Sequence, residues 1–194
     1  MTKQLILERA LEFFTDRGYE GASLEDIARA VGIRKASIYA HYDGKTSIFL
    51  AVFDDILEEY ARTVDALTAP SEEGALNALE RIFLSFIDYC HGNRKMFFWD
   101  RYFYYPPECV KDTIVPKTLE TQEDFLERIL WWMERGIASG ELRAQPVVNH
   151  ALSYYYLMIG LSMSVRMFSR EEMLIEARSA WAGLKSGLQK EQEG

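Results

Sequence analysis

The stretch SLEDIARAVGIRKASIYAHYDGK, residues 23 to 45, gathers side chains whose chemistry suits nucleic acid. Arg34, Lys35 and Lys45 bring positive charge, Ser23 and Ser37 hydroxyls, Tyr39 a phenol and His41 an imidazole. Lysine can donate to guanine O6 and N7, and serine tolerates either kind of base edge. Lys35, Ser37 and His41 are therefore candidates for base contacts. Ser23 could offer its hydroxyl or an adjacent amide to phosphate, because helix N-termini present unpaired N–H groups. Each residue also has a plainer reading: Tyr39 and Tyr42 as packing, His41 and Lys45 as solvated surface.

Such residues work only if the chain holds them on one helix that can enter a groove. A helix-turn-helix needs a small residue where its helices cross, a residue that accepts positive φ in the turn, and an apolar residue locking the second helix. Ala28, Gly32 and Ile38 supply these in order. Ile27, Val31 and Ile33 are expected to complete the small core. Ser23 is a plausible N-cap, with Asp26 three residues on, close to a capping box. A preceding helix carries Ile6, Ala10, Phe13 and Phe14 on one face and is expected to stop at Gly18. The second helix of the motif is expected over about Arg34 to Ala40.

The rest of the chain also has a helical period. A long helix is predicted from Lys45 to about Leu67. Others cover about 72 to 91, 93 to 104, a segment to Ser139 that Pro116 could interrupt, 147 to 168, and 171 to 189. No alternating strand pattern of useful length occurs. The expected class is all-α: an N-terminal three-helix helix-turn-helix DNA-binding domain, residues 1–46, and a C-terminal helical bundle for ligand binding and dimerisation, residues 47–194.

The formal charge is -8, which by itself argues against a nucleic-acid binder. Residues 1–47, however, hold seven Lys/Arg and seven Asp/Glu, so the acidic excess lies entirely beyond them. The N-terminal stretch MTKQLILERALEFF has charges inside its apolar run, unlike a signal peptide. The longest apolar-leaning stretch, Ala151 to Val165, is shorter than the roughly 20 residues that span a bilayer. A cytoplasmic location without membrane contact is expected. Two cysteines, Cys90 and Cys109, are too few for a disulfide framework, and no CxxC or HxxxH spacing suggests a metal. GxSxG, HExxH and phosphate-binding glycine loops are missing, so neither catalysis nor a cofactor is expected.

The run ILERALEFFTDRGYEGASLEDIARAVG, continued by IRKASIYAHYDGKTSIFLAVF, resembles the TetR family of transcriptional regulators. The resemblance covers about 50 contiguous residues, including Phe14, Gly18-Tyr19, Ile27-Ala28, Gly32, Ile38-Tyr39, Tyr42 and Lys45. It implies that Tyr39 and Lys45 bind phosphate, that the chain acts as a homodimer on a palindromic double-stranded operator, and that the bundle takes a small-molecule effector. Arg34 stands where many members have Ser or Thr, which removes an N-cap and adds a charge to the DNA-facing set. Tyr42 stands where Phe is usual.

Two weaker patterns lie beyond the motif. Aromatic residues and methionines are dense from residue 83 to 163. Most are core by default, but such a bundle can also line an adaptable apolar pocket. Phe86, Tyr89, Trp99, Phe103, Trp131, Tyr155 and Met158 are the candidates for effector binding. An apolar or aromatic effector fits them, and the acidic bundle disfavours a strongly anionic one. Small residues recur at helical spacing near the C-terminus: Ser153, Gly160 and Ser164, then Ala180, Gly183 and Gly187. They could serve close packing within one chain or a four-helix interface between two. A ligand-released repressor is the reading these patterns favour. An all-helical enzyme or carrier using the aromatic pocket is the alternative.

Overall fold

The computed structural model describes residues 2–144 and 146–189. Among the described residues nine α-helices follow one another: α1 Thr2–Gly21, α2 Leu24–Val31, α3 Lys35–Ile38, α4 Lys45–Thr68, α5 Ala75–Cys90, α6 Arg94–Tyr104, α7 Lys111–Ser139, α8 Val147–Ser162 and α9 Arg170–Leu188. A 3₁₀ turn, Glu108–Val110, precedes α7. Among the described residues, extended pairing is limited to an isolated bridge between Leu142 and Gln189. The protein is all-α, as its periodicity predicts.

Local chemistry explains most boundaries. Ser169 caps α9 by accepting from the Glu172 amide, and Glu172 returns a bond to the Ser169 amide. This is a full capping box. Asn93 caps α6 through the Lys95 amide. Pro116 lies inside α7 without ending it. It sits within the first two turns and removes only the N–H that would reach the Asp112 carbonyl.

The chain divides into two compact units, Met1–Ala61 with Asn93–Leu119, and Arg62–Gly92 with Glu120–Gly194. In the first, α1 packs on α2 and α6, and α2 on α3. Its core holds Ile6, Phe14, Ile27, Ile38, Phe49, Phe53, Phe98 and Trp99. The contact-based unit thus includes α6 and parts of α4 and α7 in addition to residues 1–46.

In the second unit α5 packs against α8 and α9, which also meet each other. Phe83, Phe86, Phe125, Trp132, Tyr154 and Trp181 fill its interior. Polar tips are tied to backbone: the Tyr154 hydroxyl donates to Leu79 O at 2.7 Å, and Trp132 Nε1 to Thr68 O at 3.0 Å. The turn Gly140-Glu141-Leu142 has a role at a distance. The Glu141 carboxylate accepts from the Leu76 amide at 3.2 Å and so caps the start of α5.

That cap makes a pH prediction. Burial works to raise the Glu141 carboxyl, but bonds from the Leu76 and Ala75 amides and the Ser139 hydroxyl, with the Arg135 charge, hold it below the usual glutamate range. The unfolded chain then takes up the proton first as pH falls. The cap's contribution is present above the unfolded value of about 4.3 and is lost as pH drops through the folded one. Glu141→Gln should lower stability by about 1 kcal/mol at neutral pH. It should also flatten the acid side of the stability curve in urea titrations. A variant whose acid limb follows the wild type would show that Glu141 does not govern it.

Candidate nucleic-acid interface

The helix-turn-helix forms from residues within twenty positions of one another. Ser23 is the N-cap of α2: its Oγ accepts from the Asp26 amide at 3.1 Å and donates to Asp26 Oδ2 at 2.7 Å. Gly32 takes the left-handed conformation, φ 78° and ψ 28°, and its N–H reaches the Ala28 and Arg29 carbonyls. A side chain there would be strained, which explains the glycine. Ile27, Ala28 and Ile38 are buried, as expected. Val31 and Ile33 are only half-buried, and with Leu5 they line an open apolar cleft of about 390 Å³.

The second helix of the motif is shorter than its sequence predicts. Regular α-helix covers only Lys35–Ile38, and turns continue through His41, whose N–H reaches Ile38 O at 2.9 Å. Arg34 occupies the N-cap position without a side-chain hydrogen bond to the helix. The first-turn amides therefore lack the acceptor that a Ser or Thr would give.

Five of the seven DNA-binding candidates lie in one exposed segment. Arg34, Lys35, Ser37, Tyr39 and His41 are all exposed, Tyr39 to 54%. Among the described residues, none of these five side chains has an intramolecular polar partner. Ser23 is exposed as well, but its hydroxyl is committed to the cap. Lys45 differs more. It is half-buried, its Nζ donates to Tyr19 O at 2.7 Å, and it lies 4.2 Å from the Tyr19 ring centroid. One of its three donors thus holds the C-terminal end of α1, where a cation also meets the helix dipole favourably.

Other contacts that fix α1 had no local signal. The Tyr102 hydroxyl donates to Phe14 O at 3.0 Å, Arg101 to Thr15 O at 3.3 Å, and Arg94 to Asp16 at 3.2 Å. Three residues of α6 therefore grip the last turns of α1, where Gly18 breaks the helix with φ 77°. Tyr19 bonds Thr46 through its hydroxyl at 2.8 Å and packs edge-on against Phe49.

Tyr42 closes the small core, with its hydroxyl buried and, among the described residues, without a hydrogen-bond partner. Burial, then the Asp55 charge, pushes that phenol up. Tyr42→Phe removes an unsatisfied polar atom at nearly constant shape. Stability should hold or rise by about 1 kcal/mol, read by chemical denaturation. A loss of that size would instead reveal a partner for the hydroxyl.

The seven effector candidates are divided between the two units. In the first unit, Trp99 stacks 4.8 Å from Tyr60 and 5.7 Å from Phe53, and meets Phe103 at 5.2 Å. In the second, Phe86 lies 6.4 Å from Tyr89 and 5.5 Å from Phe125, which lies 5.9 Å from Tyr155. Met158 is buried in that unit. Trp131 stands apart on the surface, edge-on to Trp132.

An exposed cationic and hydroxylic helix, locked to its neighbour by a glycine turn, has the arrangement of a helix-turn-helix. Residues 6–52 match the family described as bacterial regulatory proteins, tetR family. The sequence likeness to that family is confined to residues 6–52, and the fold of the whole chain is that of solved TetR-family structures. Over 47 residues it is 47% identical to the biofilm operon icaADBC negative transcriptional regulator IcaR of Staphylococcus aureus strain Newman. That match spans 24% of this chain and 25% of IcaR. Among solved structures, the ketosteroid transcriptional regulator KstR2 of Mycobacterium tuberculosis superposes with a TM-score of 0.76 at 16% identity, covering 98% of this chain and 96% of that one. The TetR family regulator PfmR of Thermus thermophilus gives 0.72 at 22%, covering 95% and 96%. The enzyme or carrier alternative finds no support among these relatives. Among the described residues, no helix is long and apolar enough to cross a membrane.

Proposed function

We propose that this protein is a sequence-specific transcriptional repressor that binds a palindromic operator as a homodimer and is released by a small apolar or aromatic effector. The observation that carries the reading is the set of unpaired, exposed side chains from Arg34 to His41 on a helix-turn-helix frame. In this reading Lys35, Ser37 and His41 meet base edges, while Arg34, Tyr39, Lys45 and Ser23 meet phosphate. Residues 1–46 carry the DNA contacts and residues 47–194 the dimer and the effector. The neutral balance of the first 47 residues keeps the acidic excess off the DNA-facing segment. The protein works in the cytoplasm, where its operator is.

The dimer reading draws on what α8 and α9 leave uncovered. Val148, Tyr156, Met163 and Met167 are exposed along α8 and the turn after it, and Ile175 on α9. A Cβ added at Gly160, Gly183 or Gly187 would meet nothing within 4 Å. Each glycine weakens its helix by about 1 kcal/mol relative to alanine. Packing within the chain gives no return for that weakening, whereas the close approach of a second copy would. Two symmetric recognition helices would then sit about 34–36 Å apart, one turn of DNA.

Selection of bound sequences from random DNA tests the whole reading. A palindrome with two half-sites is the expected outcome. Failure to enrich any sequence over the starting pool would overturn it. Effector action is tested by linkage: an inducer must bind less tightly to the operator complex than to free protein, by about 1–3 kcal/mol. A compound that binds both equally is no inducer, and Trp99→Ala or Phe86→Ala then tells which unit holds a true one.

A further inference from the structure

The second unit has an open cleft of about 380 Å³ lined by Thr68, Pro70, Asp124, Glu127, Arg128 and Trp131. This is within the size range of small-molecule sites. Four of the six come from one face of α7, at positions i, i+3, i+4 and i+7. The opposite wall is the C-terminal end of α4, which closes at Thr68.

Two features of the cleft favour a positive guest. Asp124 and Glu127 contribute two carboxylates, and among the described residues neither has an ion-pair or hydrogen-bond partner. The cleft's own cation, Arg128, is committed elsewhere, to Asp65 at 2.5 Å. Trp131 offers an indole that is 43% exposed, unusual for the largest side chain in a unit whose Trp132 and Trp181 are buried. Indole is the best of the aromatic faces for a cation.

The same features exclude other guests. An anion would face two carboxylates, with no uncommitted cation among the lining residues to meet it. A neutral apolar molecule would desolvate both carboxylates without compensation. A metal ion needs more oxygen ligands than the cleft supplies, and no cluster of three His, Cys, Asp or Glu suited to a metal occurs among the described residues. What fits is a cation whose charge is spread over an apolar body.

We propose that this cleft is a binding site for a compact organic ammonium ion, with Trp131 against its alkyl or aryl groups and Asp124 and Glu127 neutralising its charge. Neither Trp99 nor Phe86 lines this cleft, and the proposal does not depend on the DNA-binding reading. Arg135, which does not line the cleft, already places its guanidinium 5.6 Å from the Trp131 ring centroid. An ammonium guest must therefore share this indole with Arg135.

The test uses full-length protein without DNA, titrated calorimetrically with benzyltrimethylammonium and, separately, with its neutral carbon isostere neopentylbenzene. Saturable binding of the ammonium and none of the isostere is expected. Trp131→Ala should weaken it about two- to fivefold. Asp124→Asn with Glu127→Gln should weaken it by about tenfold, and added salt should weaken the wild type more than that double variant. All three side chains lie at the surface, so unchanged circular dichroism shows that each variant still folds. Equal binding of the isostere would overturn the proposal. So would full affinity in the double variant, or loss of binding in Trp99→Ala with Trp131→Ala unaffected. None of these outcomes bears on operator binding, which the DNA selection measures separately.

Discussion

Lys35→Ala is expected to lower operator affinity between about thirty-fold and twenty-thousand-fold. A lost base contact costs about 1–3 kcal/mol, and a symmetric dimer loses it at both half-sites. The loss should fall on particular base pairs: Lys35→Ala should bind a site altered at the contacted position nearly as well as the original. The reason is structural. Among the described residues the Lys35 ammonium has no partner within the chain, so its removal leaves the folded protein unchanged. Affinities on a panel of single-base operator variants decide the matter. A uniform loss across the panel would make Lys35 a phosphate contact instead.

Lys45 provides the contrast. Because its ammonium holds Tyr19 O, replacement by alanine confounds DNA contact with loosening of α1. Lys45→Gln keeps an N–H donor and removes the charge. Its expected effect is weaker binding to every sequence and a salt slope smaller by about 1 per half-site. If the slope is unchanged, the residue serves the fold rather than the phosphate.

Ile175→Glu is expected to abolish the dimer and, with it, operator binding. Ile175 is exposed on α9, on the same helix as Gly183, which leaves its surface open. Two copies facing each other about a twofold axis would bury two added carboxylates without partners, at a cost of several kcal/mol. Sedimentation at micromolar concentration should show a monomer with unchanged helicity. Linking two recognition helices multiplies affinity by about 10²–10⁴, so operator binding should fall by that factor. A dimer that survives the substitution would place the interface elsewhere. A monomer that still binds the full operator tightly would remove the need for symmetry.

The sequence by itself determined the parts of this protein whose causes are local. Ser23 as a cap, Gly32 as a left-handed turn and Ile38 as a lock lie within sixteen residues, and the backbone between them leaves few alternatives. Helical period located the helices for the same reason, since i to i+4 bonds join near neighbours. The box at Ser169 and Glu172 is local as well, its two partners three residues apart.

Tertiary structure alone decided which groups spend their chemistry inside the fold. Lys45 reaches Tyr19 across 26 residues, Tyr102 reaches Phe14 across 88, and Glu141 reaches Leu76 across 65. No periodicity encodes such pairs, because closing a long loop fixes no local pattern. The aromatic residues show the same limit. Density of Trp, Tyr and Phe marked a bundle rich in apolar surface, but Trp99 and Tyr155 became core while Trp131 stayed open beside two carboxylates. A side chain's type sets what it can bind. Whether it remains free to bind depends on which neighbours the folded chain brings against it.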